Sequence, residues 1–127
     1  GTIENVYVEY VEISNANSGG YSGTLFNQSG TLKNIFIDAS EAVVSESGAK
    51  FRILAGSCSG YGGIFAICPA SGYTASQAAD RGNNYGAVAY FAGAAEMQAN
   101  ETTQAKIETW DTAYWNIVDG VPQFMVK

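Results

Sequence analysis

Short runs of β-branched and aromatic residues, separated by turns rich in glycine and asparagine, make up most of the chain. Such runs are typical of β-strands, because branched and aromatic side chains pack well on a pleated surface. The pattern predicts seven strands, at 2–13, 22–27, 31–37, 41–45, 50–55, 62–68 and 85–92. Two segments carry helix-forming residues: 75–79 fits a short helical turn, and 92–103 is compatible with either a helix or a strand.

One strand pattern occurs twice, 29 residues apart: residues 1–8 are GTIENVYV and residues 30–37 are GTLKNIFI. Three positions are identical, and four more exchange one apolar or aromatic residue for another. A period of roughly 20–50 residues is typical of solenoids, propellers and other repeat arrays. Because the match spans only eight residues, two unrelated strands with similar turns remain the alternative.

The asparagine in each copy interrupts the alternation of buried and exposed positions. Ile3, Val6 and Val8 can share the inside only if the chain bends at Asn5, and the second copy requires the same bend at Asn34. Asparagine tolerates left-handed backbone geometry, and its side chain can bond to a neighbouring coil. We therefore expect Asn5 and Asn34 to stack as the start of an asparagine ladder.

These patterns predict an all-β fold of parallel β-solenoid (β-helix-like) coils with a C-terminal, aromatic-rich cap. The 127 residues suit a single domain, with the coils at 1–92 and the closing cap at 93–127. Trp110 and Trp115 would form the core of the cap, because a solenoid must cover its open end. Since Gly1 falls at the first residue of a repeat unit, further coils or another subunit are expected on that side.

The composition narrows the classes of function. Acidic residues outnumber basic ones 12 to 6, and six scattered cations cannot form the patch that nucleic acids or anionic membranes require. The chain has no histidine, which excludes Ser-His-Asp and Cys-His catalysis and the usual zinc enzyme sites within it. No apolar run approaches the roughly 20 residues of a membrane-spanning helix. The abundant serine, threonine and asparagine predict a neutral surface of the kind common on extracellular and virion proteins.

Two segments resemble a known repeat family. Residues 22–38, SGTLFNQSGTLKNIFID, are similar to the GLUG-type repeat, in which a GLVG-like strand precedes a glycine turn and a G-x-I-x-N-[CV] strand. Residues 110–124 are similar to the W-(x)n-W-x-[IV]-x-x-G-x-P-x-[LF] segment that often closes such arrays. The chain departs from the family where GLVG reads SGTL, and where the spacing stretches between residues 38 and 90. The resemblance implies a right-handed parallel β-solenoid of a bacterial surface protein or a phage structural protein, with adhesion or assembly rather than catalysis.

Tyrosines are the candidate ligand-binding residues. A tyrosine offers an apolar ring for stacking on sugars and a polar tip, which suits reversible interfaces. The candidates are Tyr21, Tyr61, Tyr73 and Tyr85. The alternative for all four is packing on the rim of the coils or at a subunit interface.

Carboxylates and thiols leave further alternatives open. Glu9 and Glu12 could supply a carboxylate pair for cleaving polysaccharides, although on a straight strand they would face opposite sides. Residues 80–84, DRGNN, offer oxygen ligands but lack the acidic spacing of a calcium loop, so we assign no metal site and no cofactor. Cys58 and Cys68 allow either one disulfide or two buried thiols.

The function expected from the sequence is a non-enzymatic structural or adhesive module that presents a surface rich in Tyr, Asn, Ser and Thr. Such a module would belong to a phage fibre, spike or decoration protein. The expected partners are other virion or surface-protein subunits in a homo-oligomer, with a host glycan as a further candidate, and neither nucleic acid nor an inserted membrane. The expected location is the virion or the cell surface. The alternatives are a bacterial cell-surface adhesin domain and, less in keeping with the residues, a polysaccharide-cleaving β-helix lyase or hydrolase.

Overall fold

The structure is a computed structural model, which describes residues 1–13, 21–22, 29–44, 50–51, 53, 58–70 and 88–125. These residues contain ten strands: β1 (Thr2–Glu9), β2 (Glu12–Ile13), β3 (Tyr21–Ser22), β4 (Ser29–Asp38), β5 (Val43–Val44), β6 (Lys50–Phe51), β7 (Cys58–Ile67), β8 (Ala89–Phe91), β9 (Trp115–Val118) and β10 (Val121–Phe124). Two short helices, α1 (Ala94–Ala99) and α2 (Glu101–Ile107), lie between β8 and β9. Neither helix of this described part has the length and apolar content needed to cross a membrane.

The largest sheet is parallel and has four strands in the order β1-β4-β7-β8. Thr2 lies opposite Thr31, and Thr31 lies opposite Gly60, so the first three strands keep a constant offset of 29 residues. The offset changes at β8, where Phe65 lies opposite Ala89 and only three residues pair. Two shorter parallel pairs, β2–β5 and β3–β6, accompany this sheet, and β9 pairs with β10 in antiparallel fashion.

The four-stranded sheet buries side chains on both of its faces, because successive strand residues point to opposite sides. The face towards β2 and β5 carries the inner core: Ile13, Leu32, Ile35, Ile37, Ala39, Ala42, Ile53, Ile64, Ala66, Cys68 and Val88. The opposite face carries the outer core, which includes residues of the helices and of β9: Phe36, Phe65, Ile67, Phe91, Met97, Ile107, Trp110 and Trp115. The sheet is therefore the middle layer of the described structure.

The two helices are joined at a single capping residue. The Asn100 side chain accepts a hydrogen bond from the backbone N–H of Thr103 at 3.0 Å, which satisfies a free donor at the start of α2. The Gln104 side chain donates to the carbonyl oxygens of Met97 and Gly120, both at 3.0 Å. These bonds tie α1 and α2 to the turn between β9 and β10.

The turn between β9 and β10 consists of Asp119 and Gly120, both with positive φ (50° and 77°). Two left-handed residues in a two-residue loop match the twist of the flanking strands, and Asp-Gly is a favoured pair there. A Cβ at Gly120 would also lie 2.8 Å from Oε1 of the Gln104 side chain, which would have to shift to make room.

The prediction of an all-β, parallel β-solenoid is wrong. The parallel sheet has only four strands, the last of them three residues long, and the described fold also contains two helices and an antiparallel hairpin. The physical reason lies on the outer face, where Tyr7, Phe36 and Phe65 form a row of aromatic rings across three strands. The helices and the hairpin bury this row, so the segment predicted as an end cap packs along a sheet face instead.

The predicted elements agree with the structure to different degrees. The strands predicted at 31–37 and 62–68 lie within or largely overlap β4 and β7, whereas the one predicted at 2–13 divides into β1 and β2. Of the strand predicted at 41–45, the described residues contain β5 and residue 45 lies outside the description, while the open choice at 92–103 resolves as helix. The strands predicted at 22–27, 50–55 and 85–92 lie partly outside the described residues, and the helical turn at 75–79 lies wholly outside them.

Candidate functional site

A row of left-handed residues crosses the parallel sheet. Asn5 on β1, Asn34 on β4 and Gly63 on β7 have φ values of 60°, 55° and 70°, and they follow the constant offset of 29 residues. A left-handed residue interrupts the alternation of a strand, so Leu32 and Ile35, three positions apart, both lie in the inner core. The asparagines thus adopt the geometry that the sequence pattern requires.

The Asn5 side chain is the end of this row. Its Oδ1 accepts hydrogen bonds from Asn34 Nδ2 at 3.5 Å and from Trp115 Nε1 at 3.0 Å. Within the residues that the structure describes, the Asn5 Nδ2 amide donates to no protein group. Repeating the Asn34-to-Asn5 step beyond β1 would bring an acceptor on a further strand to this amide.

Gly63 on β7 is the other end of the row. Here the Trp110 ring occupies the place that the amide side chains take at Asn5 and Asn34. A Cβ on Gly63 would lie 3.2 Å from both Cζ2 and Nε1 of Trp110. The Trp110 ring stacks on Phe65 with ring centroids 5.8 Å apart. Sequence reasoning missed this third position, although counting 29 residues on from Asn34 leads to Gly63.

Burial falls sharply from β4 to β1 along each row of aligned side chains. Leu32 is fully buried, whereas Ile3 opposite it is 39% exposed. Val6 and Tyr7 are likewise half-buried beside fully buried residues of β4. The cause is that β1 is the terminal strand of the sheet, and no described strand pairs with its outer side. We call this side of Thr2–Glu9 the open edge.

The direction of the backbone groups at the open edge follows from two hydrogen bonds. Gly1 O accepts from Thr31 N, and Tyr10 N donates to Asp38 O, both at 2.9 Å. Successive peptide groups of a strand point to opposite sides, so the N–H of Glu9 points away from β4. The open edge therefore presents, over eight residues without a proline, backbone donors and acceptors that no strand of the described part of the chain pairs with.

Charges along the open edge are predominantly acidic. Glu4 forms an ion pair with Lys33 on β4, with Glu4 Oε2 2.9 Å from Lys33 Nζ. Glu9 lies opposite Asp38, and the Asp38 carboxylate accepts hydrogen bonds from the neighbouring Ser40. Burial, and then the charges of Asp38 and Glu9, raise the pKa of the Tyr7 hydroxyl.

An exposed apolar surface flanks the open edge on the side of the outer core. Phe124 is 40% exposed, and its ring centroid lies 5.9 Å from Tyr7 and 4.6 Å from Trp115. Tyr114 and Met125 are about half exposed and are joined by a backbone hydrogen bond of 2.8 Å. The hairpin thus adds Phe124 to the row of aromatic rings, next to Tyr7 on β1.

The structure does not gather the predicted ligand-binding tyrosines into one described site. Tyr21 lies on β3 and Tyr61 on β7, in different sheets, and their side chains are outside the description. Tyr73 and Tyr85 lie entirely outside the described residues. Stacking on sugars by these four residues stays a prediction.

The structure describes the residues with a predicted structural role more fully than it describes the four tyrosines. Trp110 and Trp115 are buried in the outer core with ring centroids 4.7 Å apart. Cys68 is a buried free thiol, and burial, with a smaller effect of Glu96, raises its pKa to about 12. Cys58 is the first residue of β7.

The described carboxylates do not form a metal centre, because no three His, Cys, Asp or Glu side chains among these residues could hold an ion together. Of the pair considered for polysaccharide cleavage, Glu9 lies on β1 and Glu12 on β2, which belong to different sheets.

No family model, curated protein or solved structure matches the chain. The resemblance of residues 22–38 and 110–124 to the GLUG-type repeat therefore stays a prediction from the sequence.

Proposed function

We propose that the chain is a non-enzymatic structural module that enters a larger assembly, in the setting of a virion or a cell surface, through its open edge. In this proposal a strand of a partner subunit pairs in parallel with β1 and extends the sheet. The observation that carries it is the fall in burial from β4 to β1, because no described strand lies beside Ile3, Val6 and Tyr7 on their outer side, as β1 lies beside their counterparts on β4.

Strand addition suits the physical properties of this edge. Main-chain hydrogen bonds supply affinity in such complexes, and alternate side chains supply specificity. Proteins usually protect a free edge by keeping it short or by adding proline or charge, and β1 is eight residues long with charge at Glu4 and Glu9 alone. Full burial of an aliphatic side chain contributes about 1.5–3 kcal/mol, so Ile3 and Val6 favour a covering strand.

The experiment uses a soluble, labelled peptide that reproduces β4, Ser29–Asp38, as the probe strand. Binding is measured by fluorescence anisotropy, and its place by backbone amide hydrogen exchange. We expect saturable binding with slowed exchange in β1. Absence of binding, or slowed exchange confined to other strands, would overturn the proposal.

A pair of variants separates backbone pairing from side-chain contact. Glu9→Pro removes the outward N–H and leaves the hydrogen bonds to β4 intact, whereas Glu9→Ala keeps that N–H. We expect Glu9→Pro to weaken peptide binding about tenfold relative to Glu9→Ala, while both variants keep the same urea midpoint. Equal binding by the two variants would mean that the backbone edge is not used.

A further inference from the structure

The turn between β9 and β10 holds a carboxyl group next to an unhindered backbone nitrogen. Asp119 is exposed, and its carboxylate bonds to no other residue in the described part of the chain. The Gly120 N–H lies outside the backbone pairing of Val118 with Val121 and donates to none of the described groups. Because glycine carries no Cβ, no side chain of its own shields this nitrogen from the carboxyl group one residue earlier.

These two groups can react with each other without an enzyme or a cofactor. The Gly120 nitrogen attacks Cγ of the Asp119 carboxylic acid, the new N–Cγ bond closes a five-membered succinimide ring, and the carboxyl hydroxyl leaves with the amide proton as water. Water then opens the ring at one of its two carbonyl carbons. Attack at Cγ restores aspartate, whereas attack at the backbone carbonyl carbon gives isoaspartate, in which the main chain runs through Cβ and Cγ.

The native geometry of the turn opposes this ring closure. Asp119 has a φ of 50°, and a left-handed residue has a ψ of about +47°, which places its Cβ and the next nitrogen on opposite sides of the Cα–C bond. The ring requires them on the same side. Gly120 therefore has to swing around the Asp119 Cα–C bond before the reaction starts, and this movement breaks the two-residue turn.

Gln104 on α2 holds Gly120 in its native position. The Gln104 Nε2 donates to Gly120 O and to Met97 O on α1, both at 3.0 Å. Rotation about the Asp119 Cα–C bond carries Gly120 O away from this donor. The absence of a Cβ that leaves the nitrogen unhindered also lets Gln104 pack closely on the turn. The closed turn and the docked helices thus depend on the same side chain.

We propose that Asp119–Gly120 is a site of spontaneous isoaspartate formation, and that Gln104 suppresses the reaction by holding the turn closed. The inference is independent of the open edge. Isoaspartate adds a CH₂ group to the main chain between Val118 and Val121, and this lengthened loop no longer has the geometry that matches the twist of the flanking strands. The modified hairpin loses the register in which Phe124 lies against Tyr7.

The experiment measures isoaspartate at Asp119 by peptide mapping with electron-transfer fragmentation, which separates the two isomers although their masses are equal. The full chain is incubated at neutral pH and physiological temperature, once folded and once unfolded in guanidinium chloride. We expect the folded chain to form isoaspartate at least about tenfold more slowly than the unfolded chain. Equal rates, or no isoaspartate in either sample, would overturn the proposal.

Variants of Gln104 test the role of this side chain. Gln104→Ala removes the bond to Gly120 O and should raise the rate in the folded chain about fivefold or more. Gln104→Glu keeps the size of the side chain but has no N–H donor, so it should raise the rate as well. Gln98→Ala, at an exposed position of α1, is the matched control and should leave the rate unchanged.

A further comparison separates local opening of the turn from unfolding of the whole chain. Gly63→Ala on β7 destabilises the fold by crowding the Trp110 ring and leaves the bonds of Gln104 to the turn in place. The rates of Gln104→Ala and Gly63→Ala are compared at the same free energy of unfolding, which is set by adding urea to the more stable variant. We expect Gln104→Ala to react at least about threefold faster. Equal rates would mean that the reaction follows global unfolding, and the role assigned to Gln104 would be wrong.

Discussion

Different residues satisfy the same left-handed backbone position in β1, β4 and β7. Asparagine serves at Asn5 and Asn34, where its amide also bonds between strands. Glycine serves at Gly63, where the Trp110 ring occupies the space of a side chain. The residue type at each position is thus set by what lies beside it as well as by the backbone.

Gly63 should therefore be sensitive to the smallest substitution. Gly63→Ala adds a methyl group 3.2 Å from the buried Trp110 ring and places an L-residue at φ 70°, which alone costs roughly 1–2 kcal/mol. We expect the free energy of unfolding, measured with urea, to fall by about 2–3 kcal/mol. Gly62→Ala is the control, because its Cβ would meet only Lys33 Cβ at 3.8 Å. Equal losses in the two variants would contradict this account.

The buried thiol of Cys68 makes stability depend on alkaline pH. Its pKa is raised from 9.0 to about 12, so between these values the unfolded chain releases a proton that the folded chain keeps. This contribution to stability is complete below pH 9.0 and is lost as the pH rises towards 12, at up to about 1.4 kcal/mol per pH unit. Tyr10, whose pKa burial raises to about 12, adds to the loss above pH 10.0.

The measurement is the free energy of unfolding of the parent chain and of Cys68→Ala at about pH 8 and about pH 11. The parent should lose more stability over this interval than the variant does, because Tyr10 and Tyr7, whose pKa values are also raised, contribute in both proteins and the thiol contributes in the parent alone. Parallel losses in the two proteins would show that the thiol is not the titrating group.

At the scale of elements, Gln104 holds the helix pair against the hairpin. Its side-chain Nε2 donates to carbonyl groups of α1 and of the Asp119–Gly120 turn, so Gln104→Ala leaves two acceptors without this partner. We expect a loss of about 1–3 kcal/mol in the free energy of unfolding. Gln98→Ala is the matched control, since Gln98 is exposed on α1 and the change there should stay within about 0.5 kcal/mol. Similar effects of the two changes would rule out this role.

The elements differ in how far the sequence predicts them. The register of β1 on β4 follows from a repeat that can be counted directly, since GTIENVYV and GTLKNIFI align residue by residue. The hairpin of β9 and β10 can also be predicted from the sequence, because Asp119–Gly120 between apolar segments is a strong hairpin pattern. The two tryptophans beside it favour an end cap, so the sequence alone does not show that this hairpin packs along a face of the sheet.

At the scale of the whole molecule, the sequence does not predict how the parallel sheet, the helices and the hairpin are layered. Nothing local to Tyr7 or Phe36 shows whether an aromatic row on a strand faces solvent, a ligand or another element. Trp115 donates a hydrogen bond to Asn5, which lies 110 positions earlier in the chain, and residue periodicity does not reveal contacts at such a separation. The pairing of β1 with β4 could be anticipated from the repeat, whereas the aromatic flank of the open edge at Phe124 could not.

The position of the outer core late in the chain has a consequence for synthesis. The row Tyr7, Phe36 and Phe65 is complete once β7 has been made, but the hairpin that covers it ends at Phe124. At about 5–20 residues per second, a ribosome needs roughly 3–12 s for this interval. During these seconds the nascent sheet exposes its aromatic face, and a prematurely terminated chain would keep that face exposed and adhere to its neighbours.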